Sequence, residues 1–408
     1  MEGILRRLNT WGRGSLGALP TPSDIIPERT ILTESATLLP DLLDSDLCGH
    51  GTLVFCPSLD TPALTHGTIV VPYEGSLVTA GDEILLGQSL IVEVQEYAAA
   101  HELAIFGPTL VRMTSESDFH AFLYDADRAQ QYGAFPLVLL DPMVQLCDLC
   151  VLGGTHACGG PRRRLYVTIA GDVKTTPLGT TLGTVEDCLA SLTAGWSAYR
   201  RFAGYGCSVC LSETIPLTTV DAAHQQRPWL SRYLHALSAL RAAAANGVTD
   251  LEVSGFAQRL IPALNRVGPA ADLTRTASST PLLLFNNDIM ILHDPASQQQ
   301  LQLGPNAARI IELLLVHGNH NAAAEAAIRH LKVAPHSAHT AVTQVTHRLT
   351  SIGINLLAAS RTPGTGAASR PPERLGAGVN HVSFEDWLSR TPVQNTPVVP
   401  RIPRPKSG

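Results

Sequence analysis

Six of the eight cysteines in this chain fall between residues 147 and 210, five of them as Cys147-x2-Cys150, Cys158 and Cys207-x2-Cys210. Two residues between cysteines let both sulfurs face one centre, so two such pairs can bring four thiolates to a tetrahedral ion. No other feature constrains the fold as much, because the two pairs must meet in space across residues 151–206. The span reads as a hairpin and a helix. In RRRLYVTIAGDVKTTP, Leu165, Val167 and Ile169 alternate before Gly171-Asp172, with glycine supplying the positive φ of the turn. A helix is expected from Thr184, an N-cap with Asp187 three residues on. Its apolar stripe is Val185, Cys188, Leu189, Leu192, Trp196 and Tyr199, which makes Cys188 a small core residue. Glycines at 153, 154, 159, 160, 204 and 206 permit tight turns near a metal. His156 is read as a non-ligand, and the isolated Cys48 and Cys56 as structural.

Compartment decides how such cysteines are used. The start, MEGILRRLNTWGRGSLGALP, has no apolar core for a secretory signal, and no window approaches a membrane-spanning length. A cytoplasmic location is expected, where paired cysteines are metal-binding or catalytic before they are disulfides. The expected metal is zinc on Cys147, Cys150, Cys207 and Cys210, with Cys158 as alternative ligand. An iron–sulfur cluster or a thiol redox pair are the other readings, the latter needing a lowered thiol pKa. The net charge of −6, from 35 acidic and 29 basic residues, argues against nucleic-acid or anionic-membrane partners.

At 408 residues and 45% apolar content, the chain can build two or three cores. The expected fold class is an α/β (or α+β) N-terminal region with a cysteine-rich metal-binding segment, then a winged-helix-like βββααα C-terminal domain. Residues 1–45, rich in Pro, Ser and Thr, read as a flexible arm. Residues 46–145 read as an α/β domain, with TLVF, TIVV, SLIVEV and PLVLL as strands. SESDFHAFLYDADRAQQYG reads as a helix opened by Ser117 or Asp118 and ended by Gly133. The cysteine-rich segment is 146–215 and a helical segment spans 216–275. There Leu230, Leu234, Leu237 and Leu240 form one face, Asn246-Gly247 ends the helix, and Thr249 with Glu252 starts another. Residues 359–408 read as linker and tail, within which HVSFEDWLSR can form a short docking helix.

Residues 278–358 form the last unit. LLLFNNDIMILHDPASQQQLQL reads as three strands with turns at Asn286-Asn287-Asp288 and Asp294-Pro295-Ala296. Three helices follow, the first opened by Pro305 and stopped by Gly318. The third carries Val342, Val345, Leu349 and Ile352 on one face. A DNA-binding winged helix needs lysines and arginines on this helix, yet residues 337–352 hold one Arg348 and no Lys. The histidines clustered in this unit lack metal-ligand spacing. No G-x-S-x-G, H-E-x-x-H or paired-carboxylate motif supplies catalytic residues, so none is assigned.

The hydrophobic hairpin, the polar-start strand and LGPNAARIIELL (Leu303 to Leu314) together resemble the PqqD-like RiPP recognition element. That resemblance implies leader-peptide binding by strand addition, with Gln300, Leu301 and Gln302 on the strand and Ala341, Gln344, Val345 and Arg348 on the third helix. The cysteine region resembles the SPASM/Twitch extension of radical-SAM enzymes: Cys158, a hairpin with a Gly-Asp turn, a helix, then Cys207/Cys210. Where that family has a ligand cysteine after the hairpin, this chain has Lys174-Thr175-Thr176-Pro177. The radical-SAM C-x-x-x-C-x-x-C motif is absent. The whole organisation is similar to recognition proteins of daptide-type RiPP biosynthesis. The implied role is non-catalytic: binding a precursor's leader peptide and presenting its core to separate modifying enzymes. The alternatives are a degenerate SPASM-type iron–sulfur redox enzyme acting on a peptide and a winged-helix transcriptional regulator.

Overall fold

Runs such as TILT, LVFC, TLVR and RLYV are buried along their whole length, as strands covered on both faces require. A computed structural model describes residues 2–14, 29–57, 63–65, 67–87, 90–153, 158–200, 207–266 and 280–356. The chain divides into two compact units, Met1–Ala244 and Ala245–Gly408.

The first unit is built on one mixed sheet. Its strands are β1 (Thr30–Thr33), β2 (Leu53–Pro57), β3 (Ala63–Thr65), β4 (Thr68–Gly75), β5 (Glu83–Leu86), β6 (Leu90–Glu96), β7 (Thr109–Arg112), β8 (Val144–Leu146), β9 (Arg164–Val167), β10 (Asp172–Lys174) and β11 (Gly183–Thr184). The order is β11-β10-β9-β1-β2-β4-β5-β6-β7-β8, with β3 on β4. β9-β1-β2-β4 and β6-β7-β8 are parallel blocks, joined through the antiparallel β5. Alternate residues feed two cores. Leu32, Phe55, Val71 and Tyr166 face one, and Ile31, Val54, Val70 and Leu165 face the other. Helix α1 (Glu2–Arg13) brings Leu8 and Trp11 to the first core. Helix α2 (Leu39–Asp44) and, across the hairpin, Leu192 bring cover to the second.

The first 45 residues are therefore no arm where they are described. α1 is amphipathic, and β1, of which Thr30, Ile31 and Thr33 are β-branched and all four residues are buried, lies between β2 and β9. Nor do 46–145 and 146–215 separate, since β9–β11 extend the same sheet.

Other expectations change with context. PLVLL is not a strand: Leu137–Leu140 form a helical turn, here α5, after α3 (Tyr97–Ala100) and α4 (Glu116–Tyr132). The cap of α4 is Ser115, whose hydroxyl accepts from Asp118 N at 3.2 Å; Gly133 ends it in the left-handed region as expected. The hairpin forms as read, with β9 and β10 antiparallel and Gly171 at φ 89°. After α6 (Leu149–Leu152), however, helix α7 starts at Leu189, because Thr184 pairs with Asp172 as part of β11. Cys188 thus precedes the helix and is exposed rather than core. Helices α8 (Leu217–Gln226) and α9 (Leu230–Ala245) complete the unit, and Gly247 follows at φ 77°.

In the second unit, Thr249 and Glu252 start no helix. Glu252–Val253 form β12, paired with β13 (Leu282–Phe285). With β14 (Met290–His293) and β15 (Gln300–Gln302) these make an antiparallel sheet in sequence order. Helices α10 (Pro305–His317), α11 (His320–Leu331) and α12 (Pro335–Ser351) follow. Glu312 of α10, fully buried, accepts from Ser254 Oγ (2.6 Å), Leu260 N (2.7 Å) and Ile261 N (2.6 Å). These bonds hold residues 254–261, where a second helix was expected, against α10.

Trp11 is 2% exposed and its Nε1 donates to Leu165 O at 2.9 Å. Trp11→Ala is expected to lower stability by about 3–5 kcal/mol in denaturant unfolding. An N-terminal arm would make the change silent.

Candidate metal centre

Four cysteines meet beside the start of β9. Cys150 lies in α6, Cys158 precedes the 3-10 turn Gly160–Arg162 that leads into β9, and Cys207 and Cys210 lie between α7 and α8. All four are buried, and their sulfurs lie within 4.8 Å of one another. Cys150 Sγ is 3.7 Å from Cys210 Sγ, which is 3.4 Å from Cys207 Sγ. A single tetrahedral ion with metal–sulfur bonds of about 2.3 Å separates its sulfurs by about 3.8 Å. The quartet can hold a metal ion of that kind.

The membership corrects the expected set: Cys158 is in it and Cys147 is not. The reason is backbone geometry. Cys147 continues the pleat of β8, its N–H donating to Val111 O at 2.8 Å, and its side chain joins the α1 core. Asp148 then takes the left-handed conformation, φ 53°, and turns the chain so that Cys150 leaves on the other side. C-x-x-C spacing permits convergence on one centre, but this bend forbids it for the first pair. His156 lies outside the described residues.

Around the sulfurs sits a buried polar shell that sequence reading missed. Arg164, the first residue of β9, donates from Nη2 to Cys210 Sγ (3.1 Å) and Cys150 Sγ (3.6 Å) and pairs with Asp148 Oδ1 at 2.9 Å. Its Nη1 donates to Trp11 O (2.9 Å) and Gly12 O (3.1 Å). One guanidinium therefore ties the quartet to the end of α1. Gly14, at φ 63°, sits on this contact; a Cβ there would meet Arg164 Nη2 at 3.0 Å and Cys150 Sγ at 3.3 Å. Thr175 Oγ1 is 3.4 Å from Cys210 Sγ. Thr175 belongs to the stretch where the SPASM resemblance calls for a ligand cysteine, so a hydroxyl abuts the quartet there. In the sequence Arg164 is only the last of three consecutive arginines before an apolar run; its burial, with that of the whole of β9, is decided by the fold.

Without a cation the four groups cannot all ionise. Hydrogen bonds from Cys150, Cys207 and Cys210 hold Cys158 well below the usual thiol range, and a hydrogen bond from Cys150 holds Cys210 below it. Donating to Cys158 and its neighbours keeps the Cys150 thiol high. Burial pushes Cys147 to about 11 and Asp148 to about 6, against the pull of Arg112 on the first and Arg164 on the second. A divalent ion would supply the missing charge and draw all four into thiolate form. A redox C-x-x-C needs an accessible sulfur, whereas these are buried. Cys56 is likewise buried and Cys48 half-buried, each raised to about 11 by burial.

The residues expected to bind peptide lie in the second unit. Gln300, Leu301 and Gln302 form β15, all half-buried. Leu301 and Ala341 pack against the same core, Gln344 is exposed and Arg348 half-buried. Val345 is 2% exposed and belongs to that core, because it faces inward with Val342 and Leu349; as a direct peptide contact it is corrected. No described helix is long and apolar enough to cross a membrane. No protein-family model, curated protein or solved structure matches the chain.

Serine at Cys150, Cys158, Cys207 or Cys210 is expected to remove bound metal, read by elemental analysis of the purified protein. Cys147→Ser is expected to retain it in full. Metal loss on Cys147→Ser with retention on Cys158→Ser would restore the set expected from spacing.

Proposed function

We propose that the chain is a non-catalytic recognition protein of RiPP biosynthesis. Its C-terminal unit, on this reading a winged-helix-like recognition element, binds a precursor's leader peptide, and its cysteine quartet holds a structural zinc. The observation that carries the reading is the exposed edge of β15. Leu303 N donates to Met290 O at 2.8 Å and Leu301 pairs with Leu292 across β14, which turns the N–H and C=O of Gln302 outward. A peptide adding there as a fifth strand gains main-chain hydrogen bonds, while Leu301 and Ala341 offer apolar surface continuous with the core. Arg348 is the only Lys or Arg of α12, too little for phosphate contacts along a duplex.

Zinc is favoured over an iron–sulfur cluster by the sulfur separations. A four-iron cluster places each thiolate on a different iron and spreads the sulfurs beyond what one ion needs. Bound zinc would supply folding energy and fix the α6–β9 corner; it has no redox states to use. Cys150, Cys158, Cys207 and Cys210 would hold it, with Arg164 offsetting the excess thiolate charge.

Fluorescence-anisotropy titration of the full chain with a labelled leader peptide, from precursor genes adjacent to its own, tests the reading. Saturable binding is expected, weakened about tenfold by Gln302→Pro, which removes the outward N–H at an edge where proline is tolerated. Lack of binding to any such leader, or indifference to Gln302→Pro, would count against strand addition. Purified protein should carry one zinc per chain; iron with matching sulfide would overturn the structural-zinc assignment.

A further inference from the structure

The second unit also holds a cleft that touches the proposed strand-addition surface at Ala341 alone. Its volume is about 550 Å³, in the range of ligand-binding clefts. Leu260, Ile261, Ile310, Leu331, Val333 and Ala341 give it apolar walls between the 254–261 segment, α10, the α11–α12 turn and the first half of α12. Ile261 and Ile310 are buried at its floor, and Val333 is exposed. Among the described residues, Arg309 and His330 are its only titratable lining groups, and no acidic side chain lines it. The walls are fixed, because Glu312 holds Leu260 and Ile261 by their backbone N–H groups. Such a cleft fits an apolar peptide anchor flanked by acids.

The chain carries one such segment of its own. Beyond Leu356, the last described residue, 357–408 contain two aromatics, Phe384 and Trp387, both in HVSFEDWLSR. Glu385 and Asp386 lie between them. Phe384, Trp387 and Leu388 have the i, i+3, i+4 spacing of a helix that lays one face in a groove, and Ser383-x-x-Asp386 is a capping box. Leu356 and Ile354 belong to the same core as Ile310 and Ile261. The connecting residues 357–380 reach about 80 Å when extended, so the tether does not limit docking.

We infer that residues 381–390 dock in this cleft of the same chain, with Phe384, Trp387 and Leu388 as apolar anchors and Glu385-Asp386 facing Arg309 and His330. The tether keeps the segment at high effective concentration, so the cleft is closed to other peptides unless they outcompete it. The inference needs neither the leader-peptide reading nor the metal.

The test uses a fluorescein-labelled synthetic peptide of residues 380–391 and full-length receptors. The double variant Phe384→Ala/Trp387→Ala, whose own tail is disabled, should bind the peptide saturably. The unaltered chain should bind it at least about tenfold more weakly, because its cleft is filled. Arg309→Glu and Val333→Asp, each introduced into the double variant, should abolish binding; both positions are exposed, and circular dichroism checks that the fold is kept. Failure of the double variant to bind, equal binding by the unaltered chain, or indifference to both cleft substitutions would each overturn the inference. So would a concentration-dependent dimer lost on Trp387→Ala, which assigns the segment to a second copy. A leader peptide that loses affinity with Arg309→Glu when the tail peptide does not would give the cleft to the leader. Gln302→Pro leaves this titration unchanged, which separates it from failure of strand addition.

Discussion

Arg164 is the group on which the first unit turns. A guanidinium buried at the start of a strand is costly unless its donors are met. Here its two Nη groups are met by two cysteine sulfurs, the Asp148 carboxylate and two carbonyls at the end of α1, while Nε is buried without a partner. The partners come from three stretches of chain, so one side chain requires α1, the β8–α6 bend and the 207–210 loop together. The sulfurs in turn crowd so closely that they cannot all ionise alone. A metal ion there would complete the charge balance and fix the corner where β9 enters the sheet.

β9 carries that requirement into the fold. It pairs in parallel with β1 on one side and antiparallel with β10 on the other. The metal corner and the central sheet are thus one structure, and Trp11, bonded to Leu165 O, closes it from the α1 side. In the second unit Glu312 does comparable work, a buried carboxylate whose three acceptor bonds fix an irregular segment on α10. Burial raises its pKa, so ionising it costs more than in the unfolded chain, and the hydrogen bonds and Arg259 offset part of this.

Function, on the proposed reading, belongs to edges and clefts rather than to a reacting group. β15 offers main-chain groups to an added strand, and the basic-rimmed cleft offers a pocket for apolar anchors.

Much was legible in the residues themselves. The period-2 run with its Gly-Asp turn specified the β9–β10 hairpin, and proline with glycine at its ends specified α10, because these are local backbone preferences. The spacing of the cysteines announced a cluster able to hold a metal ion. What the residues could not settle was direction. PLVLL is as apolar as a strand but turns helical against β8, and the first 45 residues looked polar yet supply a central strand. Cys147 and Cys158 exchanged roles because a left-handed Asp148 redirects the chain, and Arg164 gained its partners from segments far apart in sequence. The sequence determined pieces set by local preference, such as the β9–β10 hairpin and α10, and that sulfur would gather; the tertiary structure decided which sulfurs meet, since convergence depends on where the backbone bends and not on spacing alone.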